Sequence, residues 1–218
     1  LKVAMVGNPN VGKTSLLNAL TGGDFSVGNF PGVTVEKKEG KGLINGRTVT
    51  FVDLPGIYSL QAESIDEKVA RDYLEKEKPD LILNVVNALN LERNLYLTLQ
   101  LTKFGIPMII VLNMIDEAEK NGIRIDEKKL SEITGVPVVK TSAVKGVGVE
   151  ELKREILRGG VFPELSLMTF RRSSELRKGS PRMLRWLKSL KKRKLRGLWM
   201  RFLWTDTLEF PYFFPSCG

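Results

Sequence analysis

Histidine is absent from this sequence. Histidine metal ligation and histidine general-base chemistry are therefore excluded. Cysteine occurs once, at Cys217, so no disulfide can close within the chain, which suits a reducing compartment. Long hydrophobic runs are also lacking. The longest, Ile106 to Leu112, contains a proline and is far too short to cross a bilayer. The N-terminus runs straight into an apolar, strand-like segment, and no signal peptide is read there. A chain of 218 residues with these absences accommodates one medium domain and a small appendage.

Net charge is missing from most of the chain. Residues 1–158 carry 21 Lys and Arg against 21 Asp and Glu, whereas residues 159–218 carry 13 against 4. The whole formal charge of +9 thus belongs to the tail, and a partner inferred from charge concerns the tail alone. Composition shifts at the same place. Residues 159–218 contain no Ile, Ala, Asn or Gln and a single Val (Val161), yet hold all three Trp and six of the ten Phe. Gly159-Gly160 marks the boundary. The expected division is one domain over 1–158 and a basic, aromatic-rich region over 159–218. Arg182 to Trp204 has the spacing of a basic amphipathic helix, interrupted at Gly197.

What is present in the first 158 residues is alternation. Strand-like segments fall near 2–7, 38–45, 47–53, 80–86, 107–112 and 136–140. Helix-like segments fall near 13–21, 64–76, 91–104, 126–134 and 148–158. Leu81 to Val86 and Met108 to Leu112 are short and almost wholly apolar, as parallel strands buried on both faces are. The pattern predicts an α/β fold, a mostly parallel six-stranded sheet with helices on both faces. Asn45-Gly46 between two strand-like runs is a hairpin signal, so one strand pair is expected to be antiparallel. Gly22 to Pro31 reads as a mobile loop.

The chemistry begins at Gly7-Asn8-Pro9-Asn10-Val11-Gly12-Lys13-Thr14, a phosphate-binding loop between an apolar strand and a helical stretch that opens with Ser15. Its backbone N–H groups are expected to cradle a polyphosphate at the helix N-terminus. Lys13 reaches the β- and γ-phosphates and the Thr14 hydroxyl holds Mg²⁺. Asp53-Leu54-Pro55-Gly56 closes a strand. Asp53 there suits Mg²⁺, and Gly56 lets a backbone N–H approach the γ-phosphate. Gly32-Val33-Thr34 lies in the loop between these motifs, where Thr34 can complete the Mg²⁺ shell. Asn113-Met114-Ile115-Asp116 follows a strand. A carboxylate at Asp116 accepts from both N1–H and N2–H₂ of guanine, a donor pair adenine lacks, which selects GTP over ATP. Asn113 supports that loop and faces the base. The bland alternative for Asp116 is a helix N-cap. Thr141-Ser142-Ala143 follows another strand, and its backbone N–H groups suit guanine O6. Such motifs, in this order and all but Gly32-Val33-Thr34 directly after a strand, point to a Ras-like P-loop GTPase fold, with ligand at the carboxyl ends of the strands.

This set resembles the translation-factor-related P-loop GTPases. Within them it is similar to the N-terminal cytosolic G domain of the ferrous iron transporter B (FeoB) family. The likeness rests on Gly7 to Thr14, Gly28-Asn29-Phe30-Pro31-Gly32-Val33-Thr34-Val35-Glu36, Asp53 to Leu60, and Asn90-Leu91-Glu92-Arg93-Asn94-Leu95-Tyr96-Leu97. It covers residues 1–158. It implies slow GTP hydrolysis at the cytoplasmic face of the inner membrane, regulating Fe²⁺ uptake by a membrane-embedded permease domain of the same parent chain. GTP and GDP, that permease domain and further copies met through the transporter are the implied partners; nucleic acid is not expected. Iron binding by these 218 residues is not expected either. Loops 24–36 and 56–66 are expected to rearrange with the γ-phosphate.

The likeness also marks departures. Ile57 stands where Ras-like GTPases carry a catalytic Gln, and Ile cannot orient a water. The resemblance gives Asn10 a K⁺ ion to hold, whose charge replaces an arginine finger; the alternative is that Asn10 merely stabilises the turn. Catalytic roles thus fall to Asn10, Lys13, Thr34 and Gly56. Met114 replaces a Lys that packs along the base, which should speed GDP release. Asn87 replaces an Asp, with no functional consequence drawn. For residues 161–218 three readings stay open: a divergent helical regulatory domain, a basic segment meeting lipid or RNA, or translation in a wrong frame. Two other functions remain in view: a ribosome-assembly or RNA-modification GTPase with an RNA-binding tail, and a GTP sensor whose hydrolysis is incidental.

Overall fold

Lys2–Gly7 form strand β1, in which Val3, Ala4, Met5 and Val6 are all fully shielded from solvent. Successive strand residues face opposite sides. Ala4 and Val6 therefore enter one core while Val3 and Met5 enter another. The same division runs through β5 (Leu81–Asn87) and β6 (Met108–Asn113). This computed structural model describes residues 1–61 and 63–161. The helix expected over Arg182 to Trp204, and the choice among readings of the tail, lie outside them from residue 162 on. Among the described residues no helix is long and apolar enough to cross a membrane.

The remaining strands are β2 (Phe25–Asn29), β3 (Glu36–Ile44), β4 (Arg47–Asp53) and β7 (Val138–Lys140). They form one seven-stranded sheet in the order β2-β3-β4-β1-β5-β6-β7. The four pairings from β4 to β7 are parallel, and β2–β3 and β3–β4 are antiparallel. The β3–β4 turn is Asn45-Gly46, both at positive φ (47° and 76°), as a two-residue hairpin requires.

Helices α1 (Lys13–Thr21) and α6 (Val149–Arg158) cover one face through Leu16, Leu17, Leu20, Leu152 and Ile156. Helices α2 (Ile65–Glu77), α3 (Leu91–Leu101) and α4 (Ile115–Lys120) cover the other. Helix α5 (Glu127–Thr134) packs beside β7. Local sequence explains where helices start. The Ser64 hydroxyl accepts the Glu67 N–H at 3.1 Å at the head of α2, and the Asp126 carboxylate accepts the Lys129 N–H at 3.1 Å at the head of α5. Apolar Val69, Ala70, Tyr73 and Leu74 then give α2 its buried stripe.

Two expectations need correction. The sheet has seven strands rather than six, because Phe25–Asn29, inside the segment read as a mobile loop, pairs antiparallel with β3. Its side chains are almost all exposed, so it carries no apolar alternation; backbone bonds to β3 hold it. Helix α4 begins inside the base motif, at Ile115, and was not among the expected helices, although a helix N-cap at Asp116 was the alternative reading there. Its six residues, four of them charged, are too few for a periodic signal. After α6, Gly159 and Gly160 both adopt positive φ, and the Val161 carbonyl accepts the Met108 N–H at 3.0 Å, which lays the chain back against β6.

Candidate functional site

Parallel pairing brings the carboxyl ends of β1, β4, β6 and β7 to one edge of the sheet. Register adds the rest: Lys38 of β3 lies opposite Asp53 of β4, so the residues preceding β3 arrive at the same edge. Lys13, Thr14, Thr34, Asp53 and Gly56 accordingly line one cleft of ≈ 640 Å³.

The floor of this cleft is the start of α1. Gly12 caps it at φ 85°, with no side-chain cap and no acidic residue in the first turn. Helix N-termini leave N–H groups unpaired, and here no side chain of the cap occupies them, unlike α2 and α5. Such an end attracts an anion. The loop before it has no room for side chains. A Cβ at Gly7 would run into the Val85 carbonyl oxygen, and one at Gly12 into Asn113 Nδ2. Asn10 sits at φ 61°, a left-handed conformation that Asn tolerates better than most residues. That backbone requirement supports the turn-stabilising role, and its exposed side chain leaves an amide oxygen available as well.

Asp53 is the charged centre. It is 7% exposed, and its Oδ1 is buried without a hydrogen-bond partner. Lys13 Nζ lies 3.5 Å from Oδ1, and Thr14 Oγ1 lies 3.5 Å from Oδ2. Burial pushes the carboxyl above its usual range, against the pull of Lys13 and Lys38 and a hydrogen bond from Thr14. An ionised Asp53 is therefore short of compensating charge. A carboxylate with one oxygen free of hydrogen bonds and the other beside a hydroxyl is the donor set of a hard oxygen-loving cation, so Mg²⁺ fits these residues.

The loop carrying Thr34 is folded tightly. Phe30 N–H donates to the Val35 carbonyl at 2.9 Å, and Val33 N–H to the Phe30 carbonyl at 3.3 Å. Phe30 itself is buried against Tyr73, with ring centroids 6.0 Å apart. Gly32, at φ 76°, and Thr34 stay exposed, and the Thr34 hydroxyl is carried by the cleft wall. Beyond Asp53, Ile57 is buried in the core and its N–H donates to the Gly7 carbonyl at 3.1 Å. Gly56 is held so close to Pro9 that a Cβ there would lie 3.0 Å from Pro9 Cα.

The base motifs are joined by Asn113, which is 2% exposed. Its Nδ2 donates to the Val11 carbonyl at 2.9 Å; its Oδ1 accepts the Thr141 hydroxyl and the Ala143 N–H, each at 3.1 Å. One side chain thus ties the phosphate loop, β6 and the segment after β7. Met114 follows at φ 62°, with its thioether methyl beside Gly12. Asp116 is not an N-cap: Met114 occupies that position, and Asp116 lies in the first turn of α4. Its Oδ2 is 2.9 Å from Lys145 Nζ. Lys145, then Ser142, hold the Asp116 carboxyl below its usual range. Lys145 was missed in the sequence, because nothing in its spacing from Asp116 signals a pair.

Thr141-Ser142-Ala143 follow β7 directly. All three backbone N–H groups are already bonded inside the protein: Thr141 to the Leu112 carbonyl, Ser142 to the Val147 carbonyl, and Ala143 to Asn113 Oδ1. A guanine O6 arriving here would share an N–H rather than find a free one. Asn87 uses its side chain locally, accepting the Leu89 N–H at 2.8 Å.

Residues 1–156 match the family model described as ferrous iron transport protein B. The chain belongs to the ferrous iron transport protein B (FeoB) family. It is 49% identical over 174 residues to the Fe(2+) transporter FeoB of Salmonella typhimurium, covering 78% of this chain and 22% of that protein. It therefore spans about a fifth of the length of the curated relatives it matches. Among solved structures, the apo cytosolic domain of T. maritima FeoB superposes with a TM-score of 0.71 at 52% identity, covering 72% of this chain and 63% of that one. The separate G domain of T. maritima FeoB gives 0.69 at 51% identity, covering 73% and 98%. The T. maritima cytosolic domain has also been solved in GDP and GMPPNP forms. The fold of residues 1–156 is that of the FeoB G domain, a Ras-like GTP-binding GTPase fold.

Proposed function

We propose that this chain binds GTP, hydrolyses it slowly, and so regulates Fe²⁺ uptake by a membrane permease domain of its parent protein. The observation that carries the reading is the meeting of Lys13, Thr14 and the undercompensated Asp53 at the uncapped head of α1. The N–H groups of Asn8, Asn10, Val11, Gly12, Lys13, Thr14 and Ser15, with Pro9 shaping the turn among them, surround the phosphates, with Gly32 and Val33 across the cleft. Lys13 exchanges Asp53 for the β- and γ-phosphates. Thr14, Asp53 and, in the GTP state, Thr34 would hold Mg²⁺, which when bound neutralises charge on the phosphate oxygens. Gly56 directs its N–H at the γ-phosphate. Ile57, being apolar and buried, leaves the attacking water to backbone groups. Asn10 would hold K⁺, which supplies positive charge where an arginine finger otherwise acts. Asp116 reads the guanine edge, Ala143 shares its N–H with O6, and Asn113 and Met114 bound the base loop. The boundary near 159 separates this G domain from a region of other composition.

Single-turnover hydrolysis of GTP with Mg²⁺, in K⁺ and then in Na⁺, tests the reading. Cleavage of GTP but not ATP is the expected result; no GTP cleavage in K⁺ would leave a sensor rather than an enzyme. Thr34→Ala is expected to slow hydrolysis about 100-fold while GDP affinity stays within about twofold, because its contact belongs to the GTP state. Equal losses in both would refute that role. Asn10→Ala is expected to erase any difference between K⁺ and Na⁺, a loss of roughly tenfold, and to spare GDP binding. Persistent K⁺ stimulation would leave Asn10 only its turn.

A further inference from the structure

Helix α3 carries a polar stripe that phosphate chemistry leaves unused. Arg93, Tyr96 and Gln100 stand at i, i+3 and i+7, on one side of the helix. All three meet the segment that follows Gly56. The Arg93 guanidinium lies 4.3 Å from the centroid of the Tyr58 ring. Gln61 Nε2 donates to the Tyr96 hydroxyl at 3.1 Å, and the Leu60 backbone N–H donates to Gln100 Oε1 at 2.6 Å. The last is the most constraining, because it fixes main chain rather than a side-chain tip.

The segment depends on such acceptors. Its described residues, 57–61 and 63, belong to no helix or strand. Its start is held by the Ile57 N–H on the Gly7 carbonyl, and its far end by Glu67, which accepts the Ser59 hydroxyl at 2.9 Å and the Glu63 N–H at 3.1 Å. Helix α3 is in turn fixed to the sheet by directional bonds. The Thr98 hydroxyl accepts Asn84 Nδ2 at 2.6 Å within the core, and Asn94 Oδ1 accepts the Asn87 N–H at 3.3 Å. Apolar packing alone is non-directional and would let a helix slide or turn; these bonds set its rotation. Gly56 thus lies immediately upstream of two anchored points, the Ile57 N–H on the Gly7 carbonyl and the Leu60 N–H on Gln100.

We propose that Gln100 is a positioning residue for γ-phosphate recognition. Its Oε1 holds the Leu60 N–H so that Gly56, four residues upstream, presents its own N–H to the cleft, with Arg93 on Tyr58 and Tyr96 on Gln61 flanking it. The role rests on the GTPase reading above and concerns the GTP state only, since GDP has no γ-phosphate.

Two substitutions separate this role from simple structural support. Gln100→Met keeps the length and removes the acceptor; Gln100→Glu keeps an acceptor oxygen. In the full chain, Gln100→Met is expected to slow single-turnover GTP hydrolysis and to speed Leu60 amide exchange, each about tenfold, with GDP affinity within about twofold. Gln100→Glu is expected to restore both to within about twofold. Wild-type hydrolysis by Gln100→Met, or a GDP-affinity loss as large as the hydrolysis loss, overturns the proposal. If the unaltered chain cleaves no GTP, the functional reading fails by itself. Leu60 exchange then decides the hold separately: faster exchange in Gln100→Met at unchanged melting temperature sustains it, and unchanged exchange overturns it.

Discussion

Asn113→Ala is expected to cost about 3–5 kcal/mol of stability and to abolish measurable nucleotide binding. The side chain makes three hydrogen bonds from a site 2% exposed. Removing it leaves the Val11 carbonyl, the Thr141 hydroxyl and the Ala143 N–H without their partner, at roughly 1–2 kcal/mol each. For a domain of this size the melting temperature should fall by about 10 °C. Binding fails for a separate reason: the phosphate loop and the base segments are linked through this one amide. Asn113→Asp isolates the link to the phosphate loop, because it retains the acceptor and loses the donor to Val11. Calorimetry and GDP titration of both variants check this. A melting temperature for Asn113→Ala within a degree or two of the unaltered chain would show that the three groups find other partners.

Asp116→Asn should reverse base preference. The carboxylate accepts from the two guanine donors, N1–H and N2–H₂; an amide turns one acceptor into a donor. Facing N2–H₂ it repels, whereas facing the C2 oxygen of xanthine it bonds. GDP affinity should fall about 100-fold, with XDP then bound more tightly than GDP. Lys145 adds a pH signature. It holds the Asp116 carboxyl below the usual carboxylate range. A carboxylate with a depressed pKa keeps its charge as pH falls through the ordinary range and loses it only lower still. Guanine selectivity should therefore stay flat from neutral pH through the range where ordinary Asp residues titrate. Parallel GDP and XDP titrations decide the matter; a variant that still prefers GDP removes Asp116 from base reading.

Much of the fold was legible because the parallel strands are buried on both faces. Leu81 to Val86 and Met108 to Leu112 must be apolar on consecutive residues, and only Asn84 breaks the first run. That exception is a tertiary matter: Asn84 lies inside the core because Thr98 of α3 is there to meet it. Strand β2 escaped detection for the opposite reason. Its side chains face solvent, and the bonds that make it a strand belong to the backbone of β3. Lys145 and the contacts of α3 with residues 58–61 escaped because each joins residues about 30 to 40 positions apart.

The sequence by itself determined the phosphate loop, the strand-following motifs and the family. These are local: glycines where a Cβ would strike backbone or a neighbouring side chain, a Lys-Thr pair opening a helix, carboxylates at strand ends. Only the tertiary structure decided how those motifs are held. Asn113 serves three segments with one amide, buried Asp53 keeps an oxygen that has the Lys13 ammonium near it but no hydrogen bond, and the N–H groups after β7 are bonded inside the protein. Hydrogen-bond partners are assigned by distance in space, and chain order carries no direct record of that distance.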